Sequence, residues 1–134
     1  MELKKSYKGF VIWMTGFLVC SVGVVFLKIE DTALLTRIIM NVMTLSMALL
    51  AYMIYRNGYV YWYTGITYED AAKVSDERRK VYALKHLKLF GIFAAIYFVF
   101  SVVMHLLQVS IWIDILVCTM GLIGVAVRTI WYKL

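Results

Sequence analysis

The chain has 134 residues, 63% of them hydrophobic, with a mean hydropathy of +0.82 and a formal charge of +6. Soluble domains hold about 45–50% apolar residues. A chain this short has too much surface to hide such an excess in a protein core, so lipid is the expected solvent of a single domain. The basic residues flank apolar runs and no polar domain is left to carry a basic face, which argues against nucleic acid as a partner.

The first apolar run, 9–27, follows Lys4, Lys5 and Lys8 and contains no charge. It is longer than the core of a cleavable signal and lacks a small-residue cleavage pattern, so it reads as a retained helix. Gly9, Gly16 and Gly23 recur every seven residues and define a stripe on which another helix can pack closely. A short polar turn follows, in which Asp31 or Thr32 is placed to cap the next helix.

The second run, 38–55, is rich in methionine (Met40, Met43, Met47, Met53), which favours adaptable packing over a thioether metal track. Thr44 and Ser46 can bond to their own helix carbonyls. Asn41 carries two amide donors and an acceptor, so it has to face another helix or the headgroups.

The interval 58–88 is the polar centre of the chain. It opens with Asn57–Gly58, a helix-ending signal, and with Tyr59, Tyr61, Trp62 and Tyr63, read as an interfacial belt rather than a ligand cradle. Thr67 and Ser75 each precede acidic residues in the pattern of a helix start. Val81, Leu84 and Leu87 then recur at helical spacing, predicting an amphipathic helix over 75–88 that leads into the third run.

The third run, 89–107, ends near His105 and Gln108, and the fourth, 111–130, starts near Asp114 and ends near Arg128. The connection between them is very short, which predicts a tight antiparallel hairpin. Cys118, Gly121 and Gly124 give a second small-residue seam, and Trp112 and Trp131 mark the two interfaces. The chain has no proline, hence no proline kink.

Four spans place both ends on one side. With the termini inside, twelve of the fourteen Lys and Arg residues lie inside and only Lys28 and Arg37 outside. The positive-inside rule therefore predicts an all-α, integral membrane four-helix bundle with cytoplasmic N- and C-termini and a cytoplasmic middle loop.

Three constellations are candidates for function. On the outer side Asp114, His105, Asn41 and Arg37 lie at similar depth, with Glu30, Asp31 and Gln108 nearby. Asp114 with His105 across the hairpin is the candidate proton or cation site, against the plainer reading that these groups snorkel to the interface. On the inner side Arg78, Arg79, Lys80, Lys85 and Lys88 are candidates for binding anionic lipid or an acidic partner, against a role limited to fixing topology. Cys20 and Cys118 lie at comparable depth, open to a disulfide or to service as small packing residues. No phosphate-binding loop, zinc-protease motif, serine elbow or Cys-x-x-Cys pair occurs, so neither enzymatic activity nor a metal or other cofactor is expected.

Two spans, a polar loop carrying Asp76-Glu77-Arg78, and two further spans resemble small prokaryotic membrane families of unknown function. The stretch from Gly65 to Ala72 and Lys88-Leu-Phe-Gly91 are likewise similar to short Firmicute membrane proteins. The resemblance implies a bacterial inner-membrane location and carries no site residues. The expected function is that of a non-enzymatic subunit or accessory protein, packing with other membrane helices or as a homo-oligomer. The alternative is an oligomeric small transporter or channel using the outer polar residues.

Overall fold

The computed structural model describes residues 3–134. The chain forms α1 (Lys8–Val25), α2 (Thr32–Asn57), a single 3-10 turn (Val60–Trp62), α3 (Tyr68–Ala72), α4 (Asp76–Leu106) and α5 (Ile111–Ile130), with no strand among the described residues. Helices α1, α2, α4 and α5 are each long and apolar enough to cross a membrane.

The helix ends follow local chemistry. Asp31 caps α2, its Oδ1 accepting from the amides of Ala33 (3.0 Å) and Leu34 (3.2 Å). Gly58 ends it with φ +74°, a left-handed conformation that side chains resist, and its amide donates to the Ile54 carbonyl at 2.8 Å. Thr67 caps α3, and Ser75 accepts from the Arg78 amide to cap α4. In the first turn of α4 the Asp76 carboxylate meets Lys80 at 3.3 Å.

Two expected boundaries move. Helix α2 begins at Thr32, directly after the expected Asp31 cap and six residues before the apolar run at 38. Arg37 is thereby inside the helix rather than in a turn. The expected amphipathic helix and third span are one continuous α4 of 31 residues, about 46 Å at 1.5 Å per residue. Nothing in the sequence between them breaks a helix.

Helix α2 is the centre of the bundle. Its most extensive interface is with antiparallel α4, followed by α1, while α4 and α5 pack less extensively despite the short 107–110 connection. Buried Met40, Tyr97 and Cys118 form one core at mid-bundle. A second core, of Leu3, Ile54, Val60, Tyr61, Ala71, Tyr82 and Ala83, lies at the end that carries both chain termini. There α4 buries Arg79, Tyr82, Ala83 and His86, while Val81 is exposed. The apolar stripe read from the sequence, Val81–Leu84–Leu87, lies beside this protein-facing one. The inner stripe has the same helical spacing but hides polar members that mask it as an apolar pattern.

The aromatic run after α2 is largely internal. The Tyr61 hydroxyl accepts from the Ser6 amide (2.8 Å) and lies 2.9 Å from the Ser6 carbonyl, while Trp62 Nε1 donates to that carbonyl at 3.0 Å. The Tyr68 hydroxyl donates to the Leu3 carbonyl at 2.6 Å. These contacts clasp the segment before α1 onto the bundle. Burial raises the Tyr61 and Tyr63 phenols above the ordinary tyrosine range.

No residue of α1 is buried. It is tethered to α2 by Trp13 Nε1, which donates to the Ser46 carbonyl at 2.8 Å. Large apolar side chains on all four long helices, among them Val19, Leu49, Ile96, Met120 and Ile130, are more than half exposed. Apolar surface of this extent fits hydrocarbon rather than water.

The glycine seams pack unevenly. Gly9 approaches Trp62 and Met53, and the Phe93 ring lies so close over Gly121 that a Cβ there would overlap it. A Cβ added at Gly16, Gly23 or Gly124 would meet nothing within 4 Å. Within one chain the seams thus reduce to Gly9 on α1 and to Cys118 and Gly121 on α5. Cys20 is exposed, Cys118 buried, and both are free thiols, so no disulfide joins them.

Candidate functional site: a buried ion pair beside a lateral groove

The polar residues of three spans converge at the end of the bundle opposite the termini. Arg37 comes from the second turn of α2, Asp114 from the first turn of α5 and His105 from the last turn of α4. Arg37 Nε donates to Asp114 Oδ2 at 2.9 Å and Nη2 to Oδ1 at 3.2 Å, a two-pronged pairing. Nη2 also donates to the Val109 carbonyl at 2.7 Å, and Nη1 lies 3.1 Å from His105 Nδ1. A guanidinium only donates, so Nδ1 is the acceptor and the His105 ring proton belongs on Nε2. Arg37 is 3% exposed and Asp114 0%.

One turn deeper the network continues. Asn41 Nδ2 donates to the Arg37 carbonyl (2.8 Å) and to Ser101 Oγ (3.0 Å), tying α2 to α4. Asn41 Oδ1 is buried and has no partner. Thr44 bonds back to the Asn41 carbonyl of its own helix at 3.1 Å. The structure thus brings Arg37, Asn41, His105 and Asp114 together, as their common depth predicted. The pairing inside the group differs from expectation: Asp114 meets Arg37, and His105 joins through that arginine rather than directly. Arg37 is the hub: of the four it is the permanent cation, and its several donors reach Asp114, His105 and Val109 together.

A groove of about 320 Å³ runs beside this network between α2 and α4. Leu34, Ile38, Leu45, Phe98 and Val102 are among its apolar walls, and Arg37, Asn41, Ser101 and His105 form its polar edge. It opens sideways, where hydrocarbon would meet the bundle. The arrangement suits burial of an apolar body against one polar end. Among the described residues no group of three His, Cys, Asp or Glu side chains is placed to hold a metal ion.

The basic residues of the termini end do not form one face. Arg79 is 4% exposed and turns inward, with Nη1 donating to the carbonyls of Ala71 (3.0 Å) and Val74 (2.6 Å) and Nη2 reaching Asp76 at 3.5 Å. Arg78 donates to the Leu134 carbonyl at 3.0 Å, and Lys85 lies 5.9 Å from the centre of the Tyr132 ring. Lys80 pairs with Asp76, and Lys88 is exposed. Sequence reasoning passed over His86, which stacks on Tyr63 with ring centres 4.1 Å apart and also contacts Tyr82 and Tyr132. Its position four residues after Tyr82 was the available signal. A comparison with family models, curated proteins and solved structures finds none that matches this chain.

Proposed function

We propose that this chain is a small non-enzymatic membrane protein, a subunit or accessory chain that packs laterally with other membrane helices and keeps its termini in the cytosol. The observation that carries the reading is the fate of the polar groups within the spans. Arg37 and Asp114 are spent on each other, and the remaining bonds of the arginine go to Val109 and His105. The ion pair therefore acts as an internal fastener of α2, α4 and α5. What the bundle offers outward is apolar helix surface, including the side of α1 turned away from α2 and the unfilled sides of Gly16 and Gly23. Small residues on a lipid-facing helix permit close approach of another backbone, which drives association where apolar burial does not. The distribution of lysine and arginine supports the cytosolic placement of the termini.

The test is extraction into a mild detergent or native nanodiscs, followed by particle mass and identification of every chain present. The reading predicts a particle heavier than one chain, with assembly weakened by Gly16→Leu and Gly23→Leu. A monomer without other chains, unchanged by those substitutions, would refute it.

A further inference from the structure

A second polar site lies at the termini end, away from the buried ion pair. A cleft of about 310 Å³ is bordered by Lys4, Arg56, Asn57, Tyr59, Asp76, Arg79 and Lys80. It gathers four cations around one carboxylate. Asp76 is engaged with Lys80 at 3.3 Å and Arg79 at 3.5 Å. Among the described residues neither Lys4 nor Arg56 has an ion-pair partner, so the net charge facing the cleft is strongly positive.

Two further observations point to an anion. Arg79 is 96% buried as a side chain, yet its Nε has no hydrogen-bond partner, although its neighbouring nitrogens are bonded. A buried guanidinium donor left unpaired is costly, and a nearby anion offsets that cost. The positive end of the 31-residue α4 also opens on the cleft at Asp76. The carboxyl end of α2 abuts it as well, but there Arg56 stands in the last turn and the Gly58 amide already caps the Ile54 carbonyl.

Depth narrows the chemistry. The cleft begins where α2 ends, beside Tyr59, level with the polar ends of the spans. Phosphate is the anion concentrated at that level of a bilayer, and arginine with lysine is the combination that holds it. We propose that the cleft bordered by Lys4, Arg56, Arg79 and Lys80 binds a phosphate group, carried by a lipid headgroup or free in solution. The proposal is independent of the subunit reading above, since it requires no second protein chain.

The experiment uses the full chain in neutral phosphatidylcholine nanodiscs. Dioctanoyl phosphatidic acid is titrated in one arm and inorganic phosphate in the other, with binding followed by phosphorus NMR. Arg56→Gln combined with Lys80→Gln is expected to weaken binding about tenfold or more, while Lys88→Gln, outside the cleft, leaves it unchanged. Saturation in the lipid arm alone assigns a headgroup; saturation by inorganic phosphate assigns the free anion. Equal binding by wild type and the double variant, equal loss in Lys88→Gln, or no saturation in either arm would overturn the proposal. Far-UV circular dichroism of each variant establishes that the fold is intact, which the exposed positions of Arg56 and Lys80 predict.

Discussion

Removing the Asp114 carboxylate tests the buried ion pair most severely. Asp114→Ala deletes the two hydrogen bonds at 2.9 and 3.2 Å and strands a guanidinium whose side chain is 4% exposed. The Val109 carbonyl and His105 remain as neutral partners, and neither carries a compensating charge. Breaking a buried pair from one side costs about 3–5 kcal/mol. That is roughly two to four orders of magnitude in the folding equilibrium. Asp114→Asn, which keeps the shape and one acceptor, falls in between. Arg37→Met combined with Asp114→Leu removes both charges and returns stability to near wild type, so the coupling between the sites is at least about 2 kcal/mol. Reversible unfolding in mixed micelles of increasing SDS fraction, followed by circular dichroism, measures wild type, these variants, and the single variants Arg37→Met and Asp114→Leu that complete the cycle. A cost below about 1 kcal/mol for Asp114→Ala, or single costs that simply add in the double variant, would refute the reasoning.

Trp13→Phe keeps the ring but loses the bond to the Ser46 carbonyl, and is expected to cost about 1 kcal/mol and to raise amide exchange in α1 before the other helices. Gly121→Ala forces Phe93 aside and costs about 1–3 kcal/mol, whereas Gly124→Ala stays within about 0.5 kcal/mol in a single chain, by the same unfolding assay. A membrane-permeant maleimide labels Cys20 slowly, since its thiol faces hydrocarbon, but still ahead of Cys118, which reacts only after unfolding; equal rates would contradict the burial of Cys118 against Tyr97 and Met40.

Much of the fold was legible because the solvent imposes it. Long apolar runs permit little besides helices, and Asp31, Ser75 and Gly58 mark where α2 and α4 start and α2 stops. The depth of Arg37, Asn41, His105 and Asp114 also followed from counting residues along each span. Their partners did not, because depth gives no azimuth: nothing in the spacing tells Asp114 to face Arg37 rather than His105. The same limit applied to α4, where Tyr82, Ala83 and His86 face inward although Val81, Leu84 and Leu87 are the more apolar stripe. The inward stripe packs as an aromatic cluster, His86 stacking on Tyr63 beside Tyr82 and Tyr132, and rings with polar tips do not register as an apolar pattern. Arg79 shows why a run of charges is not a surface: neighbours at 78, 79 and 80 differ by about 100° each around the helix, so one of the three turns inward.

The central claim is that four helices are sheathed in hydrocarbon around an internal polar fastener. Nitroxide labels placed one at a time along 9–25 of α1, in liposomes, read it directly through relaxation by oxygen and by an aqueous nickel chelate. The account predicts strong oxygen and weak nickel effects throughout the middle of the helix, around Gly16 to Cys20. Nickel access with a helical period at those positions would place α1 in water and contradict it.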